Sequence, residues 1–469
     1  MDPVPPTTAA SSIPAISVVG SDLPAVPDLV SSNLPNREEP AADDPPAIRG
    51  DFPFQCPGEL SPISEGVHLS RLAAFYNKCR NCPSRSDIVR LAPGLRVAWE
   101  QLLARRSPDS LFRIDGVRGR AHSDWTEREA AQLAAAYLAV LADVLVVHHE
   151  QTLTPRPSQP RIVLGYDTRA ESPEFAIAIA RMLRQHGAEL IDLGWSTRPM
   201  VEQRLWTSGA SGAVYVTGAG SAPAWTGADL LGPDGIVWSR GGVLDLVEQR
   251  FHSPLPRLVR EAGPHHTESV PIGVRDHWAR ELHGLRPLKI RVHVSDPLQY
   301  ELLLQIQPLI SGLTISKSAT SKGSPPAGEL FDAVFEWGED SRQCQVRDVL
   351  GGSVSEEALT FQLGTLLLDE HPHVDVVVPD ELFQRWGRTV TRCGPGYLVF
   401  HQGGHSEEQL RRTMETLHAP LGLDGTGRYW IRRGGHVMCD ALLTTAMTLQ
   451  ALSRTDAALL SWGVPPLEG

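Results

Sequence analysis

The sequence predicts an α/β protein: three consecutive α/β domains with mixed, mainly parallel sheets, preceded by a disordered tail and a small Cys/His module. Three observations predict it. From Arg161 to Val216, apolar runs of strand length alternate with helix-length segments, and that alternation implies parallel strands joined by right-handed crossovers. Units of the same kind begin near Pro287 and near Val374. The composition, 41% hydrophobic and 21% charged over 469 residues, is that of a globular chain large enough for several cores.

Residues 1–50 are rich in Pro, Ala, Ser and Asp without apolar periodicity, which predicts a disordered tail. Residues 51–105 form the small module. It holds Cys56, His68, Cys79 and Cys82, a Cys-x-x-Cys pair with two further donors, around a helical stretch from Gly66 to Tyr76. A structural zinc site of the Cys₃His type, unrelated thiols, and a redox or iron–sulfur role all remain open for these residues. The first α/β domain is expected over 106–258, the second over 285–371 and the third over 372–455, with 456–469 as a tail. A net charge of −12 leaves no basic footprint for nucleic acid. The longest apolar run, Ala130 to Val147, contains Asp143 and has helical periodicity, so no membrane span is expected. Met1 to Val19 lack a basic start, so no secretory signal is expected. Six cysteines in so long a chain suit a reducing, cytoplasmic setting.

Within the first domain, Thr126 and Glu129 form a capping box for a helix running to about Val147. Arg161–Tyr166 reads as a strand, and Ser172 and Pro173 as N-cap and first residue of a helix that Gly187 ends. A strand over Ala188–Leu193, a short helix from Pro199 to Trp206 and a strand over Ala213–Val216 follow. The last strand leads into Thr217-Gly218-Ala219-Gly220-Ser221, whose small residues would let backbone amides approach a phosphate. In the second domain, strands are expected at 289–294, 313–318 and 332–337, with a helix at 298–307 and a Gly/Pro/Ser loop at 321–328. In the third, strands at 374–378 and 388–392 alternate with helices at 380–386, 407–418 and 441–452.

Five stretches resemble motifs of the α-D-phosphohexomutases, the phosphoglucomutase and phosphomannomutase family. Phe112-Arg113-Ile114-Asp115-Gly116-Val117-Arg118-Gly119 is similar to the opening F-R-x-Y-D-I-R-G or F-G-T-D-G-I-R-G, and Asp167-Thr168-Arg169 to G-x-D-x-R. Thr217 to Asp229 resembles the phosphoserine loop T-A-S-H-N-P-x-x-x-N-G-x-K, with a threonine at Thr217 and a glycine at Gly227 in register and a proline, Pro223, one position past the motif's. The phosphoserine position falls on Ala219, the histidine on Gly220 and the lysine on Asp229. The Mg²⁺ loop D-G-D-x-D-R corresponds to Trp337-Gly338-Glu339-Asp340-Ser341-Arg342. Glu339 survives in one register and Asp340 in a register shifted by one, so Mg²⁺ is doubtful here. Gly422-Leu423-Asp424-Gly425-Thr426-Gly427-Arg428 resembles the sugar-binding G-x-E-x-S-G-H.

The resemblance implies a cleft lined by Asp115, Arg118, Thr217, Asp424, Thr426 and Arg428, with Trp225 and Trp337 near enough to fill it. It also implies a fourth domain with an R-x-S-G-T-E-P phosphate clamp, and the expectation is a member without it. The expected function is a phosphohexomutase-like protein of carbohydrate (phosphosugar) metabolism type, a catalytically inactive pseudoenzyme with a binding or regulatory role. Its ligand is then a phosphosugar or a protein partner. Whether it is an enzyme stays open. One alternative is a divergent active mutase, an intramolecular phosphotransferase using Ser221 or Thr217 as nucleophile. Another is a scaffold protein that docks a partner through the zinc module.

Overall fold

The computed structural model describes residues 54–56, 61–74, 76, 79, 82, 84, 87–97, 111–152, 159–254, 257–268, 279–294, 296–318, 331–348, 350–387, 389–394, 396–455 and 459–464. The expected tail at 1–50 and the loop at 321–328 lie outside them. The chain divides into two compact units, residues 1–90 and 91–469. In the first, helix α1 (Glu65–Ala73) is N-capped by Ser64, whose side chain accepts from Val67 N. Phe54 bridges to Ile63 and stacks on His68.

The second unit contains three sheets. The first has the order β1-β5-β4-β2-β3-β6. Its strands are β1 (Val117–Arg120), β2 (Arg161–Tyr166), β3 (Glu189–Trp195), β4 (Gly212–Val216), β5 (Trp225–Leu231) and β6 (His265–Thr267). The central strands β3, β2 and β4 are parallel, and β2 and β4 are almost wholly buried, which is why those two read as continuous apolar runs rather than alternating ones. Helices α2 (Glu127–Thr152), α3 (Ser172–Gln185) and α5 (Val243–Phe251) cover one face; α4 (Arg198–Ser208) covers the other. Helix α2 is long and apolar enough to cross a membrane by composition, and its Leu133, Tyr137 and Leu141 lie in this core. Thr126 holds its start as expected: the hydroxyl accepts from Arg128 N and donates to Glu129. The start of α3 differs from expectation. Glu171 is its N-cap, without a side-chain bond, and the Ser172 hydroxyl donates to Asp167 instead.

The second sheet has the order β10-β9-β7-β8, formed by β7 (Leu288–Val294), β8 (Leu313–Ser318), β9 (Ala333–Trp337) and β10 (Cys344–Arg347), with α6 (Pro297–Ile306) between β7 and β8. Helix α7 (Glu356–Leu367) follows. The third sheet, β12-β13-β11-β14-β15-β16, is built from β11 (His373–Val378), β12 (Val390–Cys393), β13 (Gly396–Gln402), β14 (Leu421–Leu423), β15 (Tyr429–Arg433) and β16 (His436–Cys439). Its helices are α8 (Asp380–Trp386), α9 (Glu407–Leu417) and α10 (Ala441–Ser453). The second and third sheets share one apolar core, in which Phe335, Trp337, Phe361, Leu443 and Met447 are all buried.

Two antiparallel pairings place the first-domain motifs. Strand β1 lies on β5 with Arg118 opposite Gly227, and β5 returns along β4. A Cβ at Gly227 would lie 1.8 Å from the Val117 carbonyl oxygen, so no side chain fits there. Gly227→Ala is therefore expected to lower stability by about 1–3 kcal/mol, the usual cost of overpacking, measured as a lower urea midpoint with unchanged slope.

Candidate functional site

The loop after β4 is tied down by its own chain. Asp167, at the end of β2, accepts from Gly218 N at 3.0 Å and Arg169 N at 3.1 Å. The Thr217 hydroxyl is buried and accepts from Ala219 N at 2.9 Å. Gly220 takes φ +76°, a left-handed conformation suited to glycine, and Ser221 N donates back to the Gly218 carbonyl. The amides of Gly218, Ala219 and Ser221 are thus occupied within the protein, and the phosphate-cradling role expected of them is not available in this conformation. Arg169 fastens the outer side. Its guanidinium donates to the carbonyls of Ala222 at 2.9 Å, Trp225 at 2.6 Å and Ser221 at 3.2 Å, and to Glu339 at 2.7 Å.

Ala219, Gly220 and Ser221 border two cavities. One, of about 520 Å³, is walled by Glu336 to Asp340 and Arg428. The other, of about 740 Å³, is walled by Arg113, Asp115, Arg118, Trp225, Glu407 and Arg428 among others. The cleft is open at both. Trp337 does not fill it, because its ring packs into the core and its Nε1 donates to Thr445 at 3.0 Å. Trp225 forms wall, with the Arg113 guanidinium 5.2 Å from its ring centre.

The turn after β9 corresponds to the Mg²⁺ loop. Glu339 is paired with Arg169. Asp340 is buried and accepts from Arg342 Nε at 3.0 Å and Arg428 Nη2 at 2.8 Å. Burial pushes the Asp340 carboxyl up, but the Arg428 and Arg342 guanidiniums outweigh it and hold the group well below the usual carboxylate range. Ser341, with φ +62°, is bonded by Gln299. Mg²⁺ requires near-octahedral oxygen ligands. Two acids, each already paired with arginine, do not fit that ion.

Around this turn runs a chain of buried ion pairs that joins the first sheet to the turn after β9 and to helix α9 of the third domain. Arg118 pairs with Asp229 at 2.6 Å, and Asp229 with Arg198 at 2.5 Å. Arg198 also meets Glu202 at 2.9 Å and Glu407 at 3.6 Å, and Glu407 meets Arg342 at 2.6 Å. Arg342 then reaches Asp340. Arg411 closes the far side, donating to the carbonyls of Gly235 and Val437. Burial raises the Asp229 and Glu407 carboxyls, but neighbouring arginines overcome it and both are held low. Asp115 lacks a strong cation of its own. Burial, then the charge of Glu407, lifts its carboxyl to about 6, while the Ser239 hydroxyl pulls the other way.

The expected site residues are only partly brought together. Asp115, Arg118 and Arg428 line the larger cavity, but Arg118 is committed to Asp229, which stands at the lysine position of the resembled motif. Thr217 is a buried turn residue. Asp424 accepts from Thr426 N and Oγ1 at 2.8 and 2.7 Å, so the sugar-loop pair is closed on itself and lines neither cavity. Arg428 alone of that loop reaches them. Arg169, Arg198, Arg342 and Glu407 join the site without having been singled out from the sequence; Arg169 and Arg342 were signalled there only as the arginines of two motifs, and Arg198 and Glu407 not at all.

In the first unit, Cys56, His68, Cys79 and Cys82 are buried. Arg71 donates to Cys56 Sγ at 3.0 Å, and His68 Nε2 lies 3.7 Å from Asp87. Among the described residues, no group of three or more His, Cys, Asp and Glu side chains is gathered as a metal ion would need.

Comparison with known proteins agrees with the cleft. Residues 109–251 match the family model for phosphoglucomutase/phosphomannomutase, alpha/beta/alpha domain I. That segment is somewhat under a third of the chain, and the likeness to the phosphoglucomutase/phosphomannomutase family rests on it. The phosphoglucosamine mutase of Frankia casuarinae is 28% identical over 183 residues, 38% of each chain. The phosphoacetylglucosamine mutase 1 of Schizosaccharomyces pombe is 36% identical over 88 residues, 19% of this chain and 16% of that protein. The chain thus spans well under two thirds of the length of these curated relatives. The fold extends further than the sequence likeness. A phosphoglucomutase/phosphomannomutase family protein of Burkholderia thailandensis superposes with a TM-score of 0.62 at 18% identity, over 77% of this chain and 80% of that one. The phosphoglucomutase pp63/parafusin of Paramecium gives 0.54 at 9% identity, over 76% and 73%.

Two outcomes follow from the buried charges. Arg198→Met strands Asp229 and Glu407 and is expected to cost about 3–5 kcal/mol in chemical denaturation. Asp115 has a folded pKa above its unfolded one. Its ionisation therefore costs stability progressively as pH rises from about 4 to about 6. Asp115→Asn keeps an acceptor and removes that cost, so its melting temperature should gain on the wild type across this window and hold a constant lead above pH 7.

Proposed function

We propose that this chain is a phosphohexomutase-like protein of phosphosugar metabolism that binds its ligand in the cleft but does not transfer phosphoryl groups. The observation that carries the reading is Ala219. It lies on the loop that borders both cavities, where the resembled motif has the phosphorylated serine, and a methyl group cannot take up a phosphoryl group. Two further features agree. The metal loop has its acids paired with arginines, and phosphoryl transfer depends on positioned charge neutralisation as well as on a nucleophile. The open cleft, with Trp225, Arg113 and Arg428 in its walls, keeps the means to bind a polar anionic ligand.

One observation favours a second reading: Ser221 borders both cavities, and it is the first serine downstream of position 219. A divergent mutase would use it as nucleophile.

The test incubates purified full-length protein with Mg²⁺ and glucose 1,6-bisphosphate, then follows intact mass and interconversion of hexose 1- and 6-phosphates. The expected result is no phosphoryl adduct and no turnover. Ala219→Ser alone is expected to stay silent, since the metal loop remains closed. Turnover with an adduct on Ser221, lost in Ser221→Ala, would overturn the proposal in favour of the second reading.

A further inference from the structure

The mismatch between the turn at 338–342 and a divalent ion has a positive side. Arg428 stands at the end of a loop held by two left-handed glycines, Gly425 at φ +79° and Gly427 at φ +88°. The loop is zipped to the turn: Gln343 Nε2 donates to the Thr426 carbonyl at 3.0 Å, and Cys344 N to that of Gly427 at 2.8 Å. This fixes the guanidinium against Asp340 at 2.8 Å, with Asp424 3.7 Å away on its other side. The same guanidinium borders both cavities together with Ala219, Gly220 and Ser221. Its Nε is buried without a hydrogen-bond partner among the described residues.

We propose that Arg428 is a built-in cation in the place where the family needs a divalent metal, and that the cleft holds a phosphomonoester against it without metal. This rests on the reading of the cleft as a phosphosugar site. A guanidinium suits the task because it is always charged and its planar fork offers donors to a phosphate beyond the one spent on Asp340. It also excludes the metal. A divalent ion at Asp340 would have to displace two guanidiniums, Arg342 and Arg428, and would face their charge at contact distance. Arg169 does the same at Glu339. A guanidinium neutralises a bound phosphate but is not a Lewis acid for its transfer, which agrees with a cleft that binds and does not react.

Two measurements on the full-length protein test this. The first uses Mn²⁺ alone, read by electron paramagnetic resonance. The free Mn²⁺ signal should be unchanged by stoichiometric protein. Micromolar Mn²⁺ binding abolished by Asp340→Asn would overturn the proposal. The second titrates glucose 1-phosphate and glucose 6-phosphate calorimetrically, in EDTA and in Mg²⁺. Affinity for the bound sugar should agree within about twofold between the two buffers. It should fall by about tenfold or more in Arg428→Gln, with part retained in Arg428→Lys. A Mg²⁺ requirement, or wild-type affinity in an Arg428→Gln protein shown to be folded by its melting transition, would overturn it. Binding of neither sugar in either buffer would sink the phosphosugar reading and the ligand half of this proposal. The Mn²⁺ result would still decide whether a metal enters.

Discussion

The constraint on which the cleft depends is the burial of Arg198. Its side chain is fully enclosed between α4, β5 and α9, and a guanidinium there is tolerated only if carboxylates surround it. Glu202 comes from its own helix, Asp229 from the first sheet and Glu407 from the third domain. Each of these in turn needs a second cation, and so Arg118, Arg411 and Arg342 are drawn in. The result is one connected chain of charges through residues 91–469. Breaking any link leaves an uncompensated charge in the interior, so the chain specifies how the three sheets meet more strictly than apolar contact would.

That network also accounts for the character of the cleft. Two of the arginines that border it are already neutralised from behind: Arg118 by Asp229, and Arg342 by Glu407 and Asp340. The acids are consumed in the same way. A site for phosphoryl transfer needs charges left free to meet a metal and a developing transition state. Here many of the charges meet one another, and the cleft keeps polar walls around them. Asp115 is the exception at the seam between β1 and α9, where a carboxyl lies beside Glu407 and receives the Glu407 amide.

Much of the fold was legible along the chain. The strands β2, β4 and β11 are largely apolar runs of strand length, β7 alternates apolar with polar residues, α8 occupies Asp380–Trp386 as expected, and α6, α9 and α10 differ from expectation by a residue. Less was legible where a side chain chose between local and distant partners. Ser172 reads as a cap from its neighbours, yet its hydroxyl goes to Asp167, because that carboxylate must be held to anchor the 217 loop. The strands β1, β5, β15 and β16 pair antiparallel at sheet edges, and a short run such as Tyr429–Arg433 does not announce that in its composition.

The sequence by itself determined the α/β class, the order of elements, the alanine at 219 and the presence of only two acids at 337–341. Those are matters of residue identity and short-range periodicity. Tertiary structure alone decided what the remaining charges do. Arg118, Asp424 and Thr217 have the chemistry of ligand-binding groups, and only their contacts show that each is spent inside the protein. Arg428, a plain substitution on paper, becomes the cation that borders both cavities. The reason is physical: an ion pair is set by distances of about three ångströms between residues as much as 170 positions apart, and no local pattern in the chain encodes them.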